Sequence, residues 1–227
     1  MKEDFEKQRK ELVKKMKASG VIKTIDIENA FLSIPRHEFF PEEIREHAYD
    51  DNAFPIGFGQ TISQPTTNAI MLETLSPRKG MRVLEIGSGS GYVVALLSKI
   101  VGAKGKVFGI DIIPELVERA KKTIKKIKIK NIELKCADGR HGCKEHAPYD
   151  RILVSAASDE VPSELFGQLK EHGLLLAPIN YFGMQELTLF EKRSGEVQEK
   201  ERQGYFSFVP MLGKEKEKEE GPWRGVT

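Results

Sequence analysis

Near the N-terminus, apolar residues recur at helical spacing: Phe5, Leu12, Val13 and Met16 sit among Lys and Glu, and the pattern stops at Gly20. A shorter stripe of Ile27, Ala30 and Phe31 follows, with Asp26 in position to cap it. Pro35, Pro41 and Pro55, together with Asp50 and Asp51, then break the chain into loops and short turns as far as Gly57-Phe58-Gly59-Gln60. Ile70, Met71 and Leu75 predict a helix over 64–76. From there, short apolar runs alternate with amphipathic ones. Strands are predicted from Val83 to Ile86, Lys106 to Ile110, Ile132 to Cys136, Tyr149 to Val154 and Gly173 to Pro178. Helices are predicted from Val93 to Val101, from Pro114 through the stripe Leu116, Val117, Ala120, Ile124 and Ile127, and from Ser163 to Leu169. Beyond them, Gln185 to Glu191 alternates with period two, and Arg193-Ser194-Gly195-Glu196 turns into a second polar-apolar strand. This order predicts an α/β fold: a doubly wound, Rossmann-like sheet with an N-terminal helical cap and an antiparallel C-terminal edge.

The 227 residues make one domain with a sizeable core. Within it, 1–60 reads as a helical and loop extension and 213–227 as a charged tail. In that tail Lys214 to Glu220 alternates in sign with no apolar face.

The segment Val83-Leu84-Glu85-Ile86-Gly87-Ser88-Gly89-Ser90-Gly91-Tyr92 carries the chemistry: an apolar run ends in an acid, then in glycines at every second residue. Glycines allow a tight turn from strand to helix and close approach of a ligand to the main chain. The next strand ends at Asp111, about twenty residues on, where an acid accepts hydrogen bonds from ribose hydroxyls. A dinucleotide site usually has the spacing G-x-G-x-x-G, which offers a helix N-terminus to a pyrophosphate. The spacing here is G-x-G-x-G, which suits a donor without phosphate. S-adenosylmethionine is such a donor, and Glu85 is placed to attract its methionine ammonium. Asp138, in Ala137-Asp138-Gly139 after the third strand, is a candidate acceptor for the exocyclic amine of adenine, although Asp-Gly is also an ordinary turn dipeptide.

Composition narrows the partners. With 39% hydrophobic and 31% charged residues and a net charge of +2, no long-range field favours nucleic acid or an anionic membrane. The lysines from Lys121 to Lys130 have no interleaved aromatics for base stacking and read as a solvated helix face. Met1-Lys2-Glu3-Asp4 lacks the apolar core of a signal peptide, and no apolar stretch approaches the roughly 18 residues of a membrane helix. A cytoplasmic monomer is expected. Cys136 and Cys143, with His141 and His146 nearby, match no recurrent zinc spacing, so no metal is expected and both thiols read as buried or half-buried.

Further motifs resemble one family. Gly59-Gln60-Thr61-Ile62-Ser63-Gln64-Pro65 precedes the glycine loop; Ala147-Pro148-Tyr149-Asp150-Arg151-Ile152, Val161-Pro162, Gln168-Leu169-Lys170 and Phe208-Val209-Pro210 follow it. In this order, over nearly the whole chain, they resemble the protein-L-isoaspartate O-methyltransferases. The resemblance implies methyl transfer from S-adenosylmethionine to the α-carboxyl group of L-isoaspartyl residues in damaged proteins and peptides. The methyl ester then closes to a succinimide, which can reopen as normal aspartate. A carboxylate, with a pKa of roughly 4, is already the nucleophile near neutral pH and needs no basic side chain.

By the same resemblance Ser63 lies at the reacting carboxylate as a positioner, and Glu85, Gly87, Ser88, Gly89, Asp111, Asp138 and Gly139 hold the donor. A simpler reading of Thr61 and Ser63 is that they cap the helix near Pro65, a role compatible with the first. That helix start would also offer backbone N–H groups to a carboxylate. The chain departs from the family at Thr66, where a histidine is frequent, at Ala137, where a glycine is common, and at His172, which replaces one glycine of a common Gly-Gly turn. The charged stretch between Pro210 and Trp223 is also lengthened. Two alternatives stay open: a methyltransferase with a small-molecule or RNA acceptor, and a non-catalytic interaction module that keeps the fold.

Overall fold

A computed structural model of the chain describes residues 4–213. Six α-helices and nine strands lie within them. The N-terminal helices are α1 (Phe5–Ala18) and α2 (Ile25–Ser33). Thr24, not Asp26, is the N-cap of α2, because the backbone turns helical at Ile25, two residues earlier than a cap at the acid would allow. The Thr24 N–H and hydroxyl instead bond the Glu73 carboxylate at 2.8 and 2.7 Å, tying α2 to the helix α3 (Pro65–Leu75).

The proline-rich stretch contains more order than its composition suggests. Two 3-10 turns, Arg36–Phe39 and Glu42–His47, bury Arg36 and Phe39, and a hairpin of β1 (Phe54–Gly57) and β2 (Gln60–Ile62) follows. Phe58 and Gly59 form the hairpin's two-residue turn with φ of +56° and +69°. Positive φ at both positions is the type I′ geometry that matches the twist of paired strands.

The central sheet has the order β5-β4-β3-β6-β7-β8-β9. The strands β3 (Arg82–Ile86), β4 (Lys106–Asp111), β5 (Ile132–Cys136), β6 (Tyr149–Val154) and β7 (Leu169–Tyr181) pair in parallel. The strands β8 (Met184–Arg193) and β9 (Glu196–Phe206) add the antiparallel edge. The chain moves outward from β3 to β5 and then crosses to β6 on the other side of β3. That reversal opens a crevice at the carboxyl ends of the strands. The remaining helices are α4 (Tyr92–Val101), α5 (Pro114–Lys126) and α6 (Ser163–Gly167).

The inner parallel strands β3, β4 and β6 bury residues on both faces, as strands covered on both sides must, whereas Glu133 and Lys135 of the edge strand β5 are exposed. Leu84, Ile86, Phe108, Ile110, Ile152 and Val154 share one cluster with Leu165 of α6. Val83, Val107, Leu153, Leu174 and Leu176 point the other way, into a larger cluster with residues of α1 to α5. The N-terminal helices therefore belong to the main core through Val13, Met16, Ile27 and Phe31. No helix among the described residues is long and apolar enough to cross a membrane.

Two expectations need correction besides the α2 cap. The helix from Ser163 ends at Gly167, and β7 begins at Leu169 rather than Gly173. His172 sits in this extension at φ +59°, a left-handed conformation that favours glycine and costs a Cβ-bearing residue about 1–2 kcal/mol. The departure from Gly-Gly at this position is thus a strained one. Cys136 is exposed, while Cys143 is buried. The charged run Lys214 to Glu220 lies outside the described residues.

Candidate functional site

The glycine loop joins β3 to α4 at the mouth of the crevice. Gly87, Gly89 and Gly91 all have positive φ. At Gly91 (φ +86°) a Cβ would also stand 2.9 Å from the Cβ of Ala120 on α5, so both backbone conformation and packing exclude a side chain. Asp111, at the end of β4, braces the loop from the side: its Oδ2 accepts from the Gly89 N–H at 2.7 Å and its Oδ1 from the Ile113 N–H at 3.0 Å.

Glu85 is 1% exposed in the centre of the sheet. One carboxylate oxygen accepts from the Ser155 hydroxyl at 2.8 Å; the other, Oε2, is buried without a hydrogen-bond partner. Burial pushes this carboxyl up to about 8, opposed by the Ser155 hydrogen bond and reinforced by the charge of Asp111. A buried carboxylate with an orphaned oxygen suits a cation, because a positive partner removes the desolvation cost that now holds the proton on. The methionine ammonium of S-adenosylmethionine has that chemistry, so the residues present fit the donor expected from the glycine spacing.

A narrow cleft at the strand ends is walled by Gly87, Asp111 and Gly139. A Cβ on Gly139 would lie 2.4 Å from Cγ2 of Ile86, so this wall is flush against the sheet. Glu85, Ser88, Gly89 and Asp138 do not line this cleft. The Ser88 hydroxyl is buried and unpartnered, and the Ser88 Cβ lies where a Cβ on Gly109 would meet it at 3.1 Å, so the side chain packs on β4. The Asp138 carboxylate accepts from the Arg140 guanidinium, at 2.6 Å from Nη2, and from the Arg140 N–H at 3.0 Å. A hydrogen bond from an adenine amine would share that carboxylate with Arg140. Sequence reasoning missed the apolar wall: Ile112, Ile113, Ala156, Met211 and Leu212 also line the cleft. Only Met211 and Leu212, beside the Phe-Val-Pro motif, carried any prior signal.

Ser63 follows β2 and lines a second, wider cleft with Thr61, Thr67, Tyr205, Phe208 and Val209. Its hydroxyl makes no hydrogen bond among the described residues, and the N-cap of α3 is Gln64, without a side-chain cap. The capping role for Thr61 and Ser63 is therefore not realised. Asp51 supplies it instead, accepting from the Thr66 N–H at 2.8 Å and the Thr66 hydroxyl at 2.5 Å. Thr66, at the position where a histidine is frequent, thus ties the helix to the preceding loop. Pro65 has no N–H and that of Thr66 is taken, so the helix start offers little to an incoming carboxylate. The Ser63 carbonyl accepts from Nη2 of Arg36 at 2.8 Å and from Nδ2 of Asn68 at 3.2 Å.

The two clefts abut. Gln60 lines the first and Thr61 and Ser63 the second, while Phe208 and Val209 line the second and Pro210 to Leu212 the first. The segment 208–212 is laid along the sheet by bonds from the Ala157 N–H to the Val209 carbonyl (2.9 Å) and from the Met211 N–H to the Ala157 carbonyl (2.7 Å). The metal-type side chains form a different arrangement. Ligand atoms of Cys143, Glu145 and His146 lie within 4.8 Å of one another. Their neighbours account for this: Lys135 holds Glu145 at 2.8 Å and Glu133 holds His146 at 2.7 Å.

Comparison with known proteins places the chain. The sequence model of the family described as protein-L-isoaspartate(D-aspartate) O-methyltransferase (PCMT) matches residues 7–216. A Methanopyrus kandleri protein named protein-L-isoaspartate O-methyltransferase is 43% identical over 213 residues, which cover 93% of this chain and 94% of that one. A Staphylothermus marinus protein of the same name is 42% identical over 220 residues, covering 94% and 97%. A solved protein-L-isoaspartate O-methyltransferase superposes with a TM-score of 0.82 at 36% identity, over 90% of this chain and 66% of that one. A Plasmodium falciparum structure, described as a putative protein-L-isoaspartate O-methyltransferase in complex with S-adenosyl-L-homocysteine, superposes at 0.81 and 27% identity, over 90% and 98%. The chain belongs to the protein-L-isoaspartate(D-aspartate) O-methyltransferase family.

Proposed function

We infer that the protein transfers a methyl group from S-adenosylmethionine to the α-carboxylate of L-isoaspartyl residues in damaged proteins and peptides, the step that opens their repair through a succinimide. The observation that carries this reading is the abutment of the two clefts across Gln60 to Ser63 and Val209 to Pro210. One is narrow and walled by Gly87, Gly139 and Asp111; the other is wider and presents the unengaged hydroxyl of Ser63.

When bound, the donor supplies a methyl group on a sulfonium, which departs as a neutral thioether as the acceptor oxygen takes the methyl. The protein's residues align the partners. Glu85 is proposed to pair with the donor's ammonium, Asp111 to accept from ribose hydroxyls while bracing Gly89, and Asp138 to accept from the adenine amine. Gly87 and Gly139 line the shelf, which Ser88 and Gly89 are proposed to complete through their backbone. Ser63 donates its hydroxyl to the acceptor carboxylate. No proton need move, and among the described residues no histidine or cysteine lines either cleft.

A chemical test separates this reading from other acceptors. After incubation with methyl-labelled donor and heat-aged protein, the label is expected to leave as methanol in mild base, because it sits in a carboxyl ester. Label stable to base, or label found in RNA, overturns the reading.

A further inference from the structure

Arg36 is a cation with no exposed surface, in the 3-10 turn that leads out of the N-terminal helices. Burying a guanidinium is expensive unless something is gained, and no carboxylate lies in hydrogen-bond contact with it among the described residues. Burial lowers its pKa to about 10, so it stays charged at neutral pH. Two of its nitrogens donate to backbone carbonyls, Nε to Ala48 at 2.8 Å and Nη2 to Ser63 at 2.8 Å, while Nη1 is buried without a hydrogen-bond partner among the described residues. Its Cζ lies over the rings of Tyr92, 4.9 Å from the centroid, and Phe40, at 5.1 Å. Tyr92 is the first residue of α4, directly after Gly91 of the glycine loop.

One side chain thus touches the backbone of the serine proposed to orient the acceptor and the helix that begins where the donor loop ends. We propose that Arg36 is a positioning residue that sets the spacing between donor and acceptor by holding the Ser63 carbonyl against α4. This rests on the role given to Ser63 above. A rigid fork is needed, because the same group must reach two carbonyls while standing over a ring; a compact ammonium on a flexible stem cannot do both. Asn68 supports the same carbonyl at 3.2 Å.

The test is a double-mutant cycle of Arg36→Lys with Ser63→Ala, measured on one isoaspartyl peptide alongside donor affinity and thermal midpoint. A small shift of the serine relative to the donor loop is expected to lower kcat about tenfold or more in Arg36→Lys, with donor Kd unchanged within about twofold. In the Ser63→Ala background the same substitution is expected to have less than about a twofold effect, because the group it positions is gone. Equal losses in both backgrounds show that Arg36 acts on the fold at large, and overturn the proposal while leaving Ser63's role intact. An inactive role for Ser63 itself, seen as full activity of Ser63→Ala, overturns both. Arg36→Met removes the same bonds without a charge to desolvate and serves if the lysine variant does not fold; if neither variant folds, the role is structural and the assignment fails.

Discussion

Ser63→Ala is expected to lower kcat by about ten- to a hundredfold while leaving the folded protein as stable as before. The magnitude follows from lost alignment: letting the acceptor oxygen drift by about 1 Å from the line of transfer costs up to about a hundredfold in rate. The stability part follows from the structure: the Ser63 hydroxyl caps no helix and bonds no other described group, since Asp51 caps α3 through Thr66. The hydroxyl's benefit cannot be electrostatic stabilisation of the transition state. Negative charge on the carboxylate dissipates as the methyl arrives, so a donor held to it stabilises the ground state at least as well. Its contribution is orientation, which is why loss in kcat is expected in place of a simple rise in KM. Ser63→Thr keeps a donor at the same atom and should retain most of the activity. Steady-state kinetics on an isoaspartyl peptide, with thermal melts of all three proteins, check this; equal kcat for wild type and Ser63→Ala contradicts it.

Glu85→Gln is the second large effect. With one carboxylate oxygen orphaned and the carboxyl raised to about 8, the free protein carries much of this side chain protonated near neutrality. A donor ammonium pairs with the ionised form, so affinity should rise with pH toward about 8 and level off above it. The sign for stability is opposite. The folded carboxyl titrates above its ordinary value of 4.5, so its contribution is fully present below about 4.5 and is lost as pH rises through about 8. The amide removes both dependences. Donor affinity is expected to fall about a hundredfold, corresponding to about 2.8 kcal/mol, with a flatter pH profile. The ligand-free protein should melt at the same or a higher temperature than wild type above pH 8. Calorimetric titration across this range checks the first, and thermal melts the second. Unchanged affinity with an unchanged pH profile would remove Glu85 from the donor site.

Much of this architecture was legible from the chain. Parallel strands buried on both faces gave continuous apolar runs such as Lys106 to Ile110, and their bounds agree closely with β3 to β6. The turn at Ser194-Gly195 was readable because serine and glycine are turn formers; it has φ of +53° and +81°. The chain makes the same turn twice more, at Phe58-Gly59 and Phe182-Gly183, again with positive φ at both residues. A phenylalanine before the glycine carries no turn signal, so the first hairpin read as an irregular loop and the second went unnoticed. The start of β7 was hidden in the same way, because His172 occupies a conformation that sequence reserves for glycine.

The site divides along similar lines. Main-chain features, the glycine triplet and the acids at the ends of β3, β4 and β5, announce themselves by spacing. What decides their use depends on contacts made across long stretches of chain. Arg36 reaching Ser63 and Asp51 replacing the expected cap are side-chain choices that no periodicity encodes. The apolar wall of Ile112, Ile113 and Ala156 is equally silent, since isoleucines beside a strand end are indistinguishable from core.

The most direct measurement compares two peptides of one sequence, one with L-isoaspartate and one with L-aspartate at the same position, as acceptors of labelled methyl groups from S-adenosylmethionine. The account predicts labelling of the isoaspartyl peptide alone, reduced at least tenfold by Ser63→Ala. Equal labelling of both peptides, or none of either by a protein that still binds the donor, would contradict it.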